Sequence, residues 1–587
     1  MGLLTLCCVS GTILLIAYFT YGRWVARQLE LRDDTVTPAV ELNDGVDYEP
    51  ISAPYLFSQH FSAIAAAGPV VGPIAAGLLF GWLPAVFWIL IGSIFIGAVH
   101  DLTSLTASVR HKARSIAEIV RENMSHRAYL LFLAFVWIAL VYIIVAFTDL
   151  TANTFAPPTP PANATAEQLA VAAQHAETGR AVASSSMMYL GLSVLMGLVL
   201  RYTKISLNVA TAIFMPLVLV TIWAGPHLPL SMPGWVGGSP TKTWDVLLLV
   251  YCFIASVVPV WALLQPRGFL GGYFLTLTIL FAFLGILTAS LTGQAMEVQY
   301  PKFIPFEDRD RPLLVFPILF VTIACGACSG FHSVISSGTT SKQLRKETDA
   351  RVVGYGSMLA EAFVAIISLC TVMILPPHAT GNPDRVFAEG VSLFIAHFAR
   401  LLGIDFDTAR TYLLSFSLLA FATFIYDTLD VCTRLGRYVL QEFTGWQSNT
   451  GRYVCTALTL VPPLYLILQN LTDPATGHTV PAWKVFWTLF GTANQMLAAL
   501  SLLGVTVWLL RSGKTWWYTA IPAAFMIVVT LASLVLFLQR WMNTIANKLP
   551  FDPNGPLSSI LLGLAVLLVI ESSWIVGRSL WLRRASG

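Results

Sequence analysis

Gly68-Pro69-Val70-Val71-Gly72-Pro73 decides how this chain is read. The six residues sit inside an apolar run over 57–79. Each Pro removes a backbone donor, and each Gly weakens the helix. A single Pro there reads as a kink in a packed helix. Two Gly-Pro pairs in one span read as an unwound segment. Amides and carbonyls freed at membrane depth persist only where they face protein or a polar cavity. The motif therefore predicts a broken membrane helix that lines a site.

Working outward, further apolar runs separate short polar breaks along the whole chain. Helices are expected near 3–21, 57–79, 85–108, 128–148, 186–200, 206–224, 244–264, 269–292, 313–336, 354–376, 411–428, 452–469, 484–508, 516–539 and 557–577. The fold class is thus an all-α polytopic membrane protein with about fifteen transmembrane helices. A sixteenth stretch, 387–402, has Phe387, Val391, Phe394, Ile395, Phe398 and Leu402 on one stripe, so it is expected to lie in the membrane interface. The first segment lacks a basic leader and a small-residue cleavage site, and reads as a retained anchor. The polar stretch 149–185 reads as a flexible excursion.

Composition agrees. Hydrophobic residues make up 56% of the 587, and charged residues only 11%, against about 25% in a typical soluble domain. A soluble enzyme, a disordered chain and a nucleic-acid binder are excluded, since a net charge of +3 signals no polyanion partner. Lys and Arg number 34; alternate loops, starting after the first helix, carry 23 of them. That bias places the C-terminus in the cytoplasm and the N-terminus outside. The basic residues all read as lying in loops or at span ends. Eight cysteines form no spaced framework, and Cys325 and Cys328 read as small packing residues within a span. No metal site, cofactor motif or catalytic signature appears, so no enzyme is expected.

The span 244–264 carries Pro259 about as deep as the Gly-Pro pairs lie in theirs. Five helices begin from 57, 85, 128, 186 and 206, and five more from 244, 269, 313, 354 and 411. An odd repeat of five inverts the second copy. Paired interruptions in corresponding helices point to a secondary transporter with its site at the repeat interface. Substrate is then expected beside Gly68, Pro69, Gly72, Pro73 and Pro259, where exposed amides suit a carboxylate. In the ninth span, Ser333, Ser336 and Ser337 share one face, and their hydroxyls suit Na⁺. The competing reading is that each bonds its own preceding carbonyl.

Few acids lie within spans. Asp245 and Asp427 are near span ends, and Asp430 with Arg434 reads as an ordinary i, i+4 surface pair. Glu571 reads as structural. Asp101 and Glu361 are deeper, in the half that also holds His100, His60 and His332. Intramembrane charge usually marks a pathway or proton relay, and His–carboxylate groups change protonation near neutral pH. Glu361 leads as the proton-coupling candidate, against hydrogen bonding between packed helices.

Longer strings carry a resemblance. They are 37–48 (TPAVELNDGVDY), the run from His60 through the Gly-Pro pairs to Gly97-Ala98-Val99-His100-Asp101 and Arg110-His111-Lys112, and Ser329-Gly330-Phe331-His332-Ser333 to Thr340. Glu347–Arg351, Tyr426–Asp430 and Phe490-Gly491-Thr492-Ala493-Asn494-Gln495-Met496-Leu497 belong with them. Over about residues 19–500 the chain resembles the carbon starvation (CstA) family. The resemblance implies a bacterial inner-membrane importer of peptides or pyruvate, linked with carbon starvation. It also implies a five-plus-five core similar to amino acid–polyamine–organocation transporters. In sodium-coupled relatives the first and eighth core helices form an ion site, and Ser333, Ser336 and Ser337 occupy that eighth helix here. Two departures stand out: Gln59-His60 replaces a usual His-His, and Ala66 a usual Gly.

The expected architecture is an anchor and cytoplasmic loop over 1–56, a ten-helix core over 57–428, and a four-helix accessory region over 429–587. The expected function is alternating-access import driven by Na⁺ or H⁺, with Glu361, Asp101, His332 and His60 as coupling residues. The partners are a small carboxylate or peptide and the lipid bilayer. The alternative is a channel or a nutrient-sensing receptor.

Overall fold

The computed structural model describes residues 2–44, 48–156, 165–203, 205–294, 296–308, 314–379, 381–471, 480–548 and 552–586. Within them the chain is helical, with no β-strand. Thirteen helices are long and apolar enough to cross a membrane, and the bent pair Ala53–Ile64 and Gly68–Phe80 makes a fourteenth span. Val315–Thr322 and Phe331–Gly338, split by non-helical residues 323–330, complete fifteen stretches of span length. The chain is an all-α polytopic membrane protein. Of the loop motif, residues 45–47 lie outside the described residues.

The first break falls one step earlier than expected. Residues 65–67 are unwound, and Gly68–Phe80 is helical, bent by 45° from Ala53–Ile64. Pro69 stands in the first turn of the second half, where a missing N–H costs nothing, and Pro73 lies inside it. The Gly-Pro motif therefore starts a half-helix rather than forming the gap.

Its matching interruption is not at Pro259. The helix Pro240–Val257 ends before that residue, and an exposed Pro259 leads through the turn Val260–Ala262 into Leu264–Leu291. Pro259 thus joins two spans and is no mid-span break. The end of Pro240–Val257 is instead satisfied by arginines. Arg434 donates to the carbonyls of Ala255 (2.6 Å) and Val258 (2.7 Å), Arg437 to Ser256 (2.7 Å), and Arg452 to Val257. Cations suit the orphan carbonyls and negative pole of a helix C-terminus.

Three other expectations change. The stretch 149–185 is mostly helix: His126–Phe155 runs on, and Ala166–Tyr202 starts from a capping box between Thr165 and Gln168, with 157–164 outside the described residues. The helix Pro383–Leu401 buries Phe387, Val391, Phe394 and Ile395 among its neighbours, so protein rather than lipid covers most of that stripe, with Leu402 exposed just past the helix end. Gly285 of Leu264–Leu291 lies so close to it that a Cβ there would meet the Phe394 carbonyl at 1.8 Å. No structural boundary falls at 428, because one helix runs unbroken from Phe406 to Thr444.

The helix Ala482–Arg511 is buried almost all round, from Ala482 to Leu510. A helix apolar on every side belongs in an interior. This one, expected in an accessory region, stands at the centre of the bundle.

Candidate functional site

The two broken segments cross. A Cβ on Gly68 would lie 2.3 Å from Cys325 Cβ, and one on Gly72 would lie 2.7 Å from the Thr322 carbonyl. Those glycines are used for close backbone approach. All of 68–74 is buried, so Gly68, Pro69, Gly72 and Pro73 line the crossing and no open cavity in this structure. Cys325 and Cys328 lie in the unwound stretch of the second break rather than within a helix.

Backbone groups exposed by the second break need partners, and the central helix supplies them. Asn494 Oδ1 accepts from Phe331 N (2.9 Å) and Ser329 Oγ (3.2 Å), and the Asn494 carbonyl accepts from Gly330 N (3.1 Å). Gln495 Nε2 donates to the Phe320 carbonyl (2.7 Å). Trp88 Nε1 reaches the Phe320 and Ile323 carbonyls, each at 3.2 Å. Gly491 allows the approach, since a Cβ would sit 2.0 Å from the Val321 carbonyl. The side chains of the Phe490–Leu497 string thus act as the clamp on the break. Nothing in the composition of this string, which holds no ionisable residue, signals that role.

Beside the crossing lies a chain of titratable groups. Asp101 accepts from His100 Nδ1 and His332 Nδ1, one on each carboxylate oxygen, both at 2.8 Å. His332 Nε2 stands 3.3 Å from Glu361 Oε2. His100, Asp101, His332 and Glu361 are each 0% exposed. While Asp101 is ionised its two partners carry hydrogen on Nδ1, which turns the second nitrogen of His332 toward Glu361. That contact is close enough for an ion pair but is not aligned as a hydrogen bond, and both Glu361 oxygens lack a hydrogen-bond partner. One mobile proton between Glu361 and His332 would set the charge of the chain. The acids follow two π-helical turns, Ser93–Gly97 before Asp101 and Arg351–Gly356 before Glu361. Such turns are rare and cluster at functional sites.

The serine trio separates. Ser333 Oγ donates to the Gly330 carbonyl (2.7 Å) and faces Ser501 Oγ (2.8 Å). Ser337 Oγ donates to the Ser333 carbonyl (2.7 Å) and accepts from Ile116 N (3.0 Å). Two of the three hydroxyls thus serve their own helix, as the competing reading had it. Ser336 Oγ, one turn from His332, is buried without a partner. Among the described residues no group of three or more His, Cys, Asp or Glu side chains is placed to hold a metal ion.

His60 turns toward a separate cleft. Its Nδ1 is 2.9 Å from Thr340 Oγ1, and its Nε2 has no partner. The cleft is lined by Gln59, His60, Thr339, Thr340, Gln343 and Asp427, with Gly268 at its edge. Asp427 does not reach the membrane interface. It is buried, receives Ser62 Oγ at 2.5 Å, and lies 3.1 Å from Arg267 Nε. Arg267, read as a loop residue, is 1% exposed and also pairs with Asp430, which Tyr251 contacts at 2.7 Å. Asp430 and Arg434 are both buried and turn to different partners, so they are no surface pair. Asp245 is buried with neither oxygen hydrogen-bonded, whereas Glu571 accepts from Ser125 (2.7 Å) in a structural contact.

Crossed broken spans, a buried acid–imidazole chain and a small cleft that Gln59, His60 and Asp427 line are the build of a membrane transporter. Comparison with known proteins gives the family. The chain belongs to the carbon starvation protein CstA family, whose model matches residues 3–382 and 378–533. It is 32% identical to the peptide transporter CstA of Helicobacter pylori, over 90% of this chain and 81% of the relative. It is 32% identical to the peptide transporter CstA of Escherichia coli, over 89% of this chain and 79% of the relative. It is also 30% identical to the pyruvate/proton symporter BtsT of Escherichia coli, over 90% of this chain and 80% of the relative. The names of these relatives agree with a transporter rather than an enzyme.

Proposed function

We propose that the chain is a proton-coupled importer of small carboxylate nutrients, pyruvate or short peptides. The observation that carries this reading is His332, fully buried between Asp101 and Glu361 beside the crossing of the two breaks. Buried ionisable groups are costly in a membrane and are retained where charge must move. A proton entering at Glu361 passes to His332 Nε2, and Asp101 with His100 stabilises the imidazolium that forms. His60 then stands between this chain and the cleft. Proton coupling is favoured over sodium because Ser333 and Ser337 are already bonded to their own helix. The name of the pyruvate/proton symporter relative points the same way.

The two breaks support alternating access. Seven spans run from Ala53 to Leu291 before the second broken segment begins, an odd number, so the two broken segments cross the membrane in opposite senses. Each is followed by a π-turned helix bearing a buried acid. We take these as the halves of the inverted repeat, in place of a five-helix period whose second copy opens on a helix broken at Pro259. We take the cleft and the C-terminus to face the cytoplasm across a bacterial inner membrane, with the N-terminus outside; the bias of basic residues toward alternate loops supports this.

The test is uptake into proteoliposomes of labelled pyruvate and of a dipeptide, under imposed pH or Na⁺ gradients. Accumulation driven by an inward proton gradient, and unaffected by Na⁺, is expected. Absence of gradient-driven accumulation of either compound overturns the importer reading. A channel would equilibrate substrate without counterflow, and a receptor would bind it without flux.

A further inference from the structure

Arg267 is buried beside the cleft with donors to spare. Its Nη1 is bonded to Tyr251 and Asp430. Its Nη2 has no partner, and its Nε faces Asp427 at 3.1 Å without the alignment of a hydrogen bond. Its guanidinium lies over the ring of Tyr426 at 4.9 Å. A buried guanidinium is a bidentate carboxylate receptor, and unspent donors at such depth are expensive. The next residue, Gly268, lines the cleft, and a Cβ there would meet nothing nearer than Gln59 Cγ at 3.8 Å. One turn on, Gly271 admits Asp427: a Cβ would lie 2.4 Å from its Oδ2. Asp427 itself lines the same cleft.

We propose that Arg267 anchors the carboxylate of the transported molecule, and that Asp427 occupies that anchor until a proton neutralises it. This rests on the importer reading above and assigns the substrate site within it. With both acids ionised the Arg267–Asp427–Asp430 group carries one net negative charge, which repels a carboxylate. A proton on Asp427 removes that charge and loosens its hold on Arg267 Nε. The entering carboxylate then restores the original charge, with Asp430 and Tyr251 keeping the guanidinium in place. Proton and monocarboxylate therefore bind together, one for one. The other titratable groups around Asp427 are His60 across the cleft, Tyr189 on the Arg267 carbonyl, Tyr251 and Cys252 on Pro240–Val257, and Tyr426 and Arg434 on its own helix. His60 lines the same cleft, which leaves Asp427 as the group there in contact with Arg267.

The experiment is pyruvate binding to the purified full-length protein by calorimetry at pH 6 and pH 8, with pyruvamide as the ligand lacking a carboxylate. Wild-type affinity is expected to fall by up to about tenfold per pH unit, as required when one proton binds with the ligand. Asp427→Asn is expected to remove that slope and to tighten binding at pH 8. Arg267→Gln is expected to abolish binding, Arg267→Lys to restore part of it, and pyruvamide to bind to none of them. A wild-type slope in Asp427→Asn, or undiminished binding in a folded Arg267→Gln or Arg267→Lys, overturns the proposal while leaving proton-driven uptake intact. If wild type neither binds nor accumulates any carboxylate, the importer reading falls with it.

Discussion

At the scale of single residues, function concentrates on a handful of buried charges. Glu361→Gln removes the proton carrier but keeps size and shape. Uptake driven by a pH gradient is expected to fall by roughly 10²-fold or more, the usual contribution of one positioned proton-transfer group. Lowering external pH loads Glu361 and His332 and should raise wild-type uptake. The variant should lose the part of that rise owed to Glu361 and keep the dependence set by Asp427, and a wild-type profile would clear Glu361. His332→Ala is a different kind of change, because it strands Asp101 and Glu361 without their shared partner. Removing one member of a buried ion pair costs about 3–5 kcal/mol. Thermal unfolding in detergent should show that loss, and unchanged stability would mean the pair is solvated. Asp101, Glu361 and the histidines were legible in the sequence, since ionisable residues inside apolar runs stand out. Arg267 was not. It lies in the first turns of its helix, where an arginine ordinarily reaches water. Its partner Asp430 is 163 residues away, whereas the visible i, i+4 spacing pointed to Arg434.

At the scale of elements, the break over 323–330 is held by one side of Ala482–Arg511. Asn494→Ala deletes the acceptor for Phe331 N and Ser329 Oγ and leaves a buried amide unpaired. The expected cost is about 1–3 kcal/mol, read as a lower unfolding midpoint with little change in the slope of the transition. Gly491→Ala should be worse than an ordinary small-to-large change, because the new methyl meets the Val321 carbonyl rather than a side chain that can move. Loss of folded protein on size-exclusion chromatography is expected, and a well-folded Gly491→Ala would show that the two helices can separate. The Gly-Pro motif announced the first break through chain chemistry alone. The second carries no proline at its gap, so only its satisfied backbone groups reveal it. Conversely, Pro259 carried the local signature of a break but falls just past a helix end, where proline is ordinary.

At the scale of the whole molecule, the C-terminal third is not uniformly peripheral. Ending the chain after residue 444 removes the central helix and strips the second break of its partners, so no monodisperse protein is expected. Ending it after residue 548 removes only Asn554–Ser586, of which 28% of the best apolar window is buried. That shorter protein should remain monodisperse, with lower stability from the lost contacts of Gly555 with Trp541 and Ser125 with Glu571. Fluorescence-detected chromatography of the two truncations separates the outcomes, and equal behaviour would contradict the central role of Ala482–Arg511.

The sequence by itself determined that the chain is a many-span helical membrane protein, that one span is broken near Gly68, and that acids and histidines lie at depth. Those properties follow from hydrophobic length, backbone chemistry and the cost of charge in lipid, all of which are local. The tertiary structure alone decided which break faces which, that Asn494 and Gln495 clamp the second one, and that Arg267 is shared between Asp427 and Asp430. Those are relations between residues far apart in the chain, fixed by how helices pack, and no local spacing records them.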